Sequence, residues 1–314
     1  MCDRLAAGRM KKGVKKPFFS FAVSFFDPTA CCTPSESFRP NKRQSLLASW
    51  LPPLQTSTLA LFIITAILVT NCRGRDYSSQ EQERPLAIAV AANALYAMQE
   101  IEAAFEKKEG NSIELVSASS GKLSTQIVQG APYHLFVSAD MKYPDFLYRA
   151  GAAAAPPKPY AYGALVLWSM RPDLPIGKGI EVLSDPSVKK IAIANPETAP
   201  YGAEAIRAIE STDIAEEVFP RLVYGESIGQ TSQYISSGAC DIGITAKSVV
   251  LAPEMAGKGQ WTDVDSSLYQ AIAQGAVITN FGQKAEPERS RLFFDYLFSD
   301  EARQIFMRYG YRLP

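Results

Sequence analysis

At 314 residues with 47% hydrophobic composition, the chain holds enough apolar material for one large or two modest domains. Its 32 basic and 32 acidic residues cancel, which argues against both the basic surface of a nucleic-acid-binding protein and the acidic excess of a disordered one. A single histidine, His134, makes a His-rich metal centre a poor reading.

Residues 1–85 read as a leader, a signal or lipoprotein segment and a tether, outside the fold. The stretch is irregular, interrupted by proline and basic in patches at Lys11, Lys12, Lys15, Lys16, Lys42 and Arg43. The apolar run LALFIITAILV at 59–69 is short for the roughly 20 residues of a bilayer span but suits a signal-peptide core. Lys42 and Arg43 would be its positive flank. The run ends in Leu68-Val69-Thr70-Asn71-Cys72, which resembles a lipoprotein-processing box with Cys72 as the lipidated residue. Asn71 stands where Gly or Ala is usual, so lipidation, simple cleavage and an uncleaved anchor all stay open. The polar stretch 73–83 reads as a flexible tether in each case. Residues 1–40 exceed what a signal peptide needs, which a start codon set too far upstream would explain. Of Cys2, Cys31, Cys32, Cys72 and Cys240, only Cys72 and Cys240 would survive processing, so no disulfide framework is implied.

From Leu86 the pattern alternates apolar strands and amphipathic helices. LAIAVAA is a continuous apolar run, expected of a strand covered on both faces, and helical spacing follows through Ala94, Met98, Ile101 and Phe105 until Gly110. SIELVSAS is the next strand, then a helix after Ser120 with Leu123 and Ile127 on one face, then a GAP turn into HLFVSAD. These elements make a βαβαβ unit. AYGALVLWSM reads as one strand long enough to cross to a second lobe. There IAIAN, RLVYGE and DIGITA are strands separated by helices around 203–209 and 230–237. YQAIAQGAVIT could cross back, and two helices follow at 287–298 and 300–309 with FFDYL and IF buried.

Four of the strand-to-helix junctions share one design: LAIAVAANALYAM, ELVSASSGKLSTQI, IAIANPETAPYGAEAI and LVYGESIGQTSQYI. Each leaves unpaired N–H groups at the positive end of a helix dipole, and Asn93, Ser119, Ser120 and Tyr201 add side-chain donors suited to a small oxyanion. Ser and Asn also cap helices with no ligand near, and a tyrosine after Pro can simply cover a core edge. Repetition favours the ligand reading, because parallel strands bring such ends to one sheet edge, where ligands of open α/β sheets bind. Lobe 1 is expected at 86–164 plus 272–314 and lobe 2 at 165–271. Two α/β lobes joined by crossing strands around a cleft are the architecture of a type II periplasmic binding protein.

The segments AMQEIEAAFEKKEG, SASSGKLSTQIVQGAP, LFVSAD, IANPETAPYG, SGACDIGITA and FFDYLFSDEARQIFMRYGY resemble the molybdate-binding proteins of bacterial ABC importers over nearly all of 86–314. The resemblance implies a tetrahedral oxyanion, molybdate or tungstate, held by neutral donors in the interlobe cleft. Asn93, Ser120 and Tyr201 would give side chains and Ile228 its backbone N–H. It also implies no cofactor, an ABC permease as partner, a periplasmic or otherwise extracytoplasmic location, no nucleic acid and a monomer. Where the family often has a hydroxyl, the first junction reads Ala92-Asn93. His134 stands in place of a common acidic residue and Cys240 in place of Asn or Asp, and both read as packed structural side chains. Lys122 reads as a solvated side chain on the helix exterior.

A cleft of N–H and O–H donors without acceptors suits a fully deprotonated dianion, and its size would leave sulfate with stretched hydrogen bonds. No Ser/His/Asp set, nucleotide loop or metal-ligand cluster points to catalysis. A carrier of sulfate or another tetrahedral oxyanion, an anchored anion sensor and an enzyme on a related scaffold are the rival readings. Titration with molybdate, tungstate and sulfate separates most of them.

Overall fold

The computed structural model describes residues 84–314; the apolar run 59–69 and Cys72 lie outside the described residues. The chain enters through β1 (Leu86–Ala91), a short 3₁₀ turn (Ala92–Ala94) and α1 (Leu95–Glu109). Gly110 ends α1 in the left-handed region at φ 70°, its N–H closing on the Glu106 carbonyl, and Lys107 and Lys108 face the negative end of the helix dipole. β2 (Ile113–Ala118), α2 (Ser120–Val128), β3 (Leu135–Val137), α3 (Lys142–Arg149) and β4 (Lys158–Gly163) follow.

The second lobe begins with β5 (Leu165–Ser169) and a 3₁₀ segment (Ile176–Ser184), then β6 (Ile191–Ala194), α4 (Pro200–Glu210), a single turn α5 (Ala215–Val218) and β7 (Leu222–Gly225). α6 (Ile228–Ser236), β8 (Ile242–Ala246), the turn α7 (Lys247–Val250) and β9 (Gln260–Asp263) complete it. The chain returns to the first lobe as β10 (Ile272–Ile278), α8 (Asn280–Ala285), α9 (Pro287–Tyr296) and α10 (Asp300–Arg308).

Each lobe is built on a five-stranded sheet, ordered β2-β1-β3-β10-β4 and β7-β6-β8-β5-β9. In the first, β2, β1 and β3 run parallel and β10 lies antiparallel between β3 and β4. In the second, β7, β6 and β8 run parallel and β5 lies antiparallel between β8 and β9. The parallel trios send their C-terminal ends, and the helices after them, to one edge of each sheet.

Side chains alternate across the first sheet with the period of two that a pleat imposes. Ile88, Val90, Leu135, Val137, Ala276 and Ile278 face α1, α9 and α10, while Ala89, Phe136 and Val277 face α2 and α3. On the first face, Phe105 meets Phe293 and Tyr296 edge-on at centroid distances of 5.0 and 5.2 Å. Burying each such ring contributes about 1.5–3 kcal/mol. The second sheet has its own core of Leu165–Trp168, Ile191–Ala194, Ile242 and Ile244 with Ile209 and Ile235.

The crossings differ from the expectation of two long strands. AYGALVLWSM is broken at Ala164, so that β4 belongs to one sheet and β5 to the other. The Ala164 carbonyl accepts from the Lys247 N–H at 2.9 Å, a bond that flanks the Leu165–Ala246 pair and so already belongs to the second sheet. β10 lies wholly in the first sheet, and the segment 264–271 makes the return. Two separate sheets cannot share one ladder, so the chain breaks where it leaves each. α3, β9 and α8 were not legible from periodicity: α3 carries Pro144 as its third residue, tolerated in a first turn, and β9 is four residues long.

Candidate functional site

Between the lobes lies a small cavity lined by Ala91, Ala92, Asn93, Ser119, Ser120, Ala139, Ala199, Pro200, Tyr201 and Ile228. Its cavity volume is about 10 Å³, about the room of a single water. Asn93, Ser120, Tyr201 and Ile228 are thus brought together, and all four are buried. Each stands at the start of a helix: Asn93 in the turn before α1, Ser120 and Ile228 as the first residues of α2 and α6, and Tyr201 as the second residue of α4. Local chemistry puts the helices there. Pro200 opens α4 with the φ that a first turn requires, and the Ser227 hydroxyl caps α6 by accepting from the Gln230 N–H at 3.5 Å.

Within each helix the first N–H groups have no carbonyl ahead of them, so four positive helix ends converge on the cavity. None of its lining side chains is a carboxylate, a lysine or an arginine. Two hydroxyls are set as donors by what they accept. The Ser120 Oγ accepts from the Ala139 N–H at 3.0 Å, and the Tyr201 hydroxyl accepts from Gln274 Nε2 at 2.9 Å. Each keeps its own proton for another partner, and for Tyr201 the Tyr311 hydroxyl stands close by. Burial pushes the Tyr201 phenol well above its ordinary range, with Tyr311 and Tyr160 adding to the effect, so it remains a protonated donor at neutral pH. The Ser119 Oγ is buried with no partner in the protein.

Asn93 takes a different part from the amide donor expected of it. Its two amide hydrogens go to Gln274 Oε1 at 2.8 Å and the Tyr311 hydroxyl at 3.1 Å. Its carbonyl oxygen accepts from Ser248 Oγ at 2.7 Å and the Tyr311 hydroxyl at 2.9 Å. What remains for a ligand is its backbone N–H. The residues that hold it, Gln274, Tyr311 and Ser248, were missed in the sequence. The signal was available for Gln274 alone, an amide inside the apolar run IAQGAVI that must find partners if the strand is buried.

The lobes touch around the cavity. The Gly121 N–H donates to the Thr198 carbonyl at 2.9 Å, and the Tyr143 hydroxyl to the Glu197 carbonyl at 3.0 Å. Lys122, expected to be simply solvated, pairs with Glu226 across the cleft mouth, both half-exposed. His134 and Cys240 lie apart from the cavity. The His134 Nδ1 accepts from the Ala87 N–H at 3.0 Å and its ring meets Phe281 edge-on, and burial lowers its pKa. Burial raises that of the Cys240 thiol. Among the described residues no group of three or more His, Cys, Asp or Glu could hold a metal ion.

Residues 86–312 match the family of bacterial extracellular solute-binding proteins. The chain is 38% identical over 224 residues to the molybdate-binding protein ModA of Rhodobacter capsulatus, covering 71% of this chain and 86% of that protein. It is 36% identical over 233 residues to ModA of Azotobacter vinelandii, covering 74% and 91%. The solved periplasmic molybdate-binding protein of Azotobacter vinelandii superposes with a TM-score of 0.69 at 33% identity, over 73% of this chain and 99% of that one.

Proposed function

Since the chain belongs to the bacterial extracellular solute-binding proteins, in the family of the molybdate-binding ModA proteins, we propose that it captures molybdate outside the cytoplasm and delivers it to an ABC permease. The observation that carries this reading is the pair of hydroxyls, Ser120 and Tyr201, each already accepting from a protein N–H and each left with one proton to give. Together with the helix N-termini at Asn93 and Ile228 they make a cavity of donors. A fully deprotonated tetrahedral dianion matches every donor, whereas a protonated anion such as hydrogen phosphate would set its own hydrogen against them. Neutral donors and helix dipoles replace a counterion, as anion sites at helix N-termini do.

Lobe closure on the anion would create the surface a permease reads, so transport follows from a population shift and not from chemistry. Contacts such as Gly121 to Thr198 join the lobes across the cleft. Tungstate, with the same charge and shape, fits the same donors. Export through the leader with lipidation at Cys72, and a monomeric state, complete the proposal. Mass spectrometry of the mature N-terminus tests the lipid. Titration calorimetry of the purified protein with molybdate and sulfate tests the ligand: tight molybdate and weak sulfate binding are expected, and equal affinities would turn the reading into a general tetrahedral-oxyanion carrier.

A further inference from the structure

The polar side chains behind the cavity form one hydrogen-bonded chain whose direction is set from its far end. The Tyr311 hydroxyl donates its only proton to the Asn93 backbone carbonyl at 2.9 Å, so towards Asn93 Nδ2, 3.1 Å away, it can only accept. That fixes the Asn93 amide, whose Nδ2 also donates to Gln274 Oε1 at 2.8 Å. The Tyr160 hydroxyl has two acceptors within reach, the same oxygen at 2.8 Å and the Ser138 carbonyl at 3.2 Å. Gln274 is fully buried on β10, where the pairing with β4 shifts register. With the Tyr311 proton on the Asn93 carbonyl, turning the Gln274 amide over would set Nε2 against the Asn93 amide hydrogens, donor against donor. Nε2 is therefore held against the Tyr201 hydroxyl at 2.9 Å.

We propose that Gln274 is a specificity-determining positioning residue: by donating to the Tyr201 oxygen it turns a hydroxyl that could give or take a proton into an obligate donor facing the cavity. The inference rests on the anion-binding reading above and deepens it. A tyrosine hydroxyl without that neighbour could point its proton elsewhere and offer a lone pair to a protonated oxyanion. Gln274 removes the option, and with it the hydrogen-bonding match for hydrogen phosphate. Tyr201 comes from the second lobe and Gln274 from the first, so the donor is oriented only when the lobes meet.

The test compares Gln274→Glu with the wild type in two backgrounds, read by titration with molybdate and with inorganic phosphate. A carboxylate still accepts from Asn93 and Tyr160 but also accepts the Tyr201 proton, turning a lone pair into the cavity. Tyr201→Phe alone should weaken molybdate binding roughly tenfold to a hundredfold. Gln274→Glu alone should weaken it further than that, and the ratio of molybdate to phosphate affinity should narrow. In the Tyr201→Phe background the Gln274→Glu loss should shrink markedly, since no hydroxyl is left to reorient. An equal fold-loss in both backgrounds, with wild-type molybdate binding intact, overturns the role of Gln274 and leaves the binding function standing. Absence of molybdate binding by the wild type overturns both. Gln274→Met, which has no donor, supplies the same cycle if thermal melting shows that the carboxylate variant does not fold.

Discussion

Each lobe brings two helix N-termini to the cavity from a trio of parallel strands, but the pair of the first lobe is backed mainly by buried polar side chains and the pair of the second mainly by apolar ones. Behind Asn93 and Ser120 stand Gln274, Tyr160, Tyr311 and the Ala139 N–H of the first lobe, with Ser248 of the second on the Asn93 carbonyl. Behind Tyr201 and Ile228 stand Ile193, Ala194, Ala205 and Ile235, and the buried hydroxyl pair Ser232 and Thr245 closes on itself. The second lobe's one side-chain donor is consequently directed from the first, through Gln274. Two halves of the same topology thus play unequal parts. The first carries the fixed orientation of the donors, and the second supplies groups that become oriented on closure.

The sharpest way to break this asymmetry is to fill the space where the lobes meet. A methyl on Gly163 would lie 1.8 Å from the Tyr201 hydroxyl oxygen and 2.5 Å from Gln274 Nε2, so Gly163→Ala must drive the two apart. Overpacking of this kind costs about 1–3 kcal/mol. With the Tyr201 hydrogen bond to the anion also lost, molybdate affinity should fall roughly a hundredfold or more by titration calorimetry. Unchanged affinity would remove Tyr201 from the site.

Ser120→Ala tests the first lobe alone. It should cost about 1.5–3 kcal/mol of binding, roughly tenfold to a hundredfold in affinity, and should lower stability by about 1 kcal/mol because the Ala139 N–H loses its acceptor. A lowered melting temperature with undiminished molybdate affinity would mean that Ser120 only ties α2 to the chain after β3.

The smallest effect is expected at the cleft mouth. The Lys122–Glu226 pair joins the lobes, but both partners are half-exposed, and such pairs contribute at most about 1 kcal/mol. Lys122→Met should therefore change molybdate affinity by less than about fivefold at low salt and hardly at all at high salt. A larger loss that persists in salt would give Lys122 a direct hold on the anion.

Most of the fold was legible because its signals are local. The apolar run at β1, the helical spacing to Phe105 and the stop at Gly110 each depend on a few neighbouring residues. The junctions that line the cavity were legible for the same reason, since small polar residues after a buried strand mark a helix start wherever they occur. The break at Ala164 was not, because the run AYGALVLWSM has the composition of one strand and only the membership of β4 and β5 in separate sheets divides it.

The sequence by itself marked the four strand-to-helix junctions and showed that no charged side chain stands among Asn93, Ser120, Tyr201 and Ile228. Only the tertiary structure decided which way those donors point. The Asn93 amide hydrogens are taken by Gln274 and Tyr311, 181 and 218 positions away in the chain, and the Tyr201 hydroxyl accepts from a glutamine 73 positions off. The physical reason is that periodicity and capping chemistry act within a turn or two of chain, whereas a buried hydroxyl or amide takes its direction from whichever donors and acceptors folding places against it.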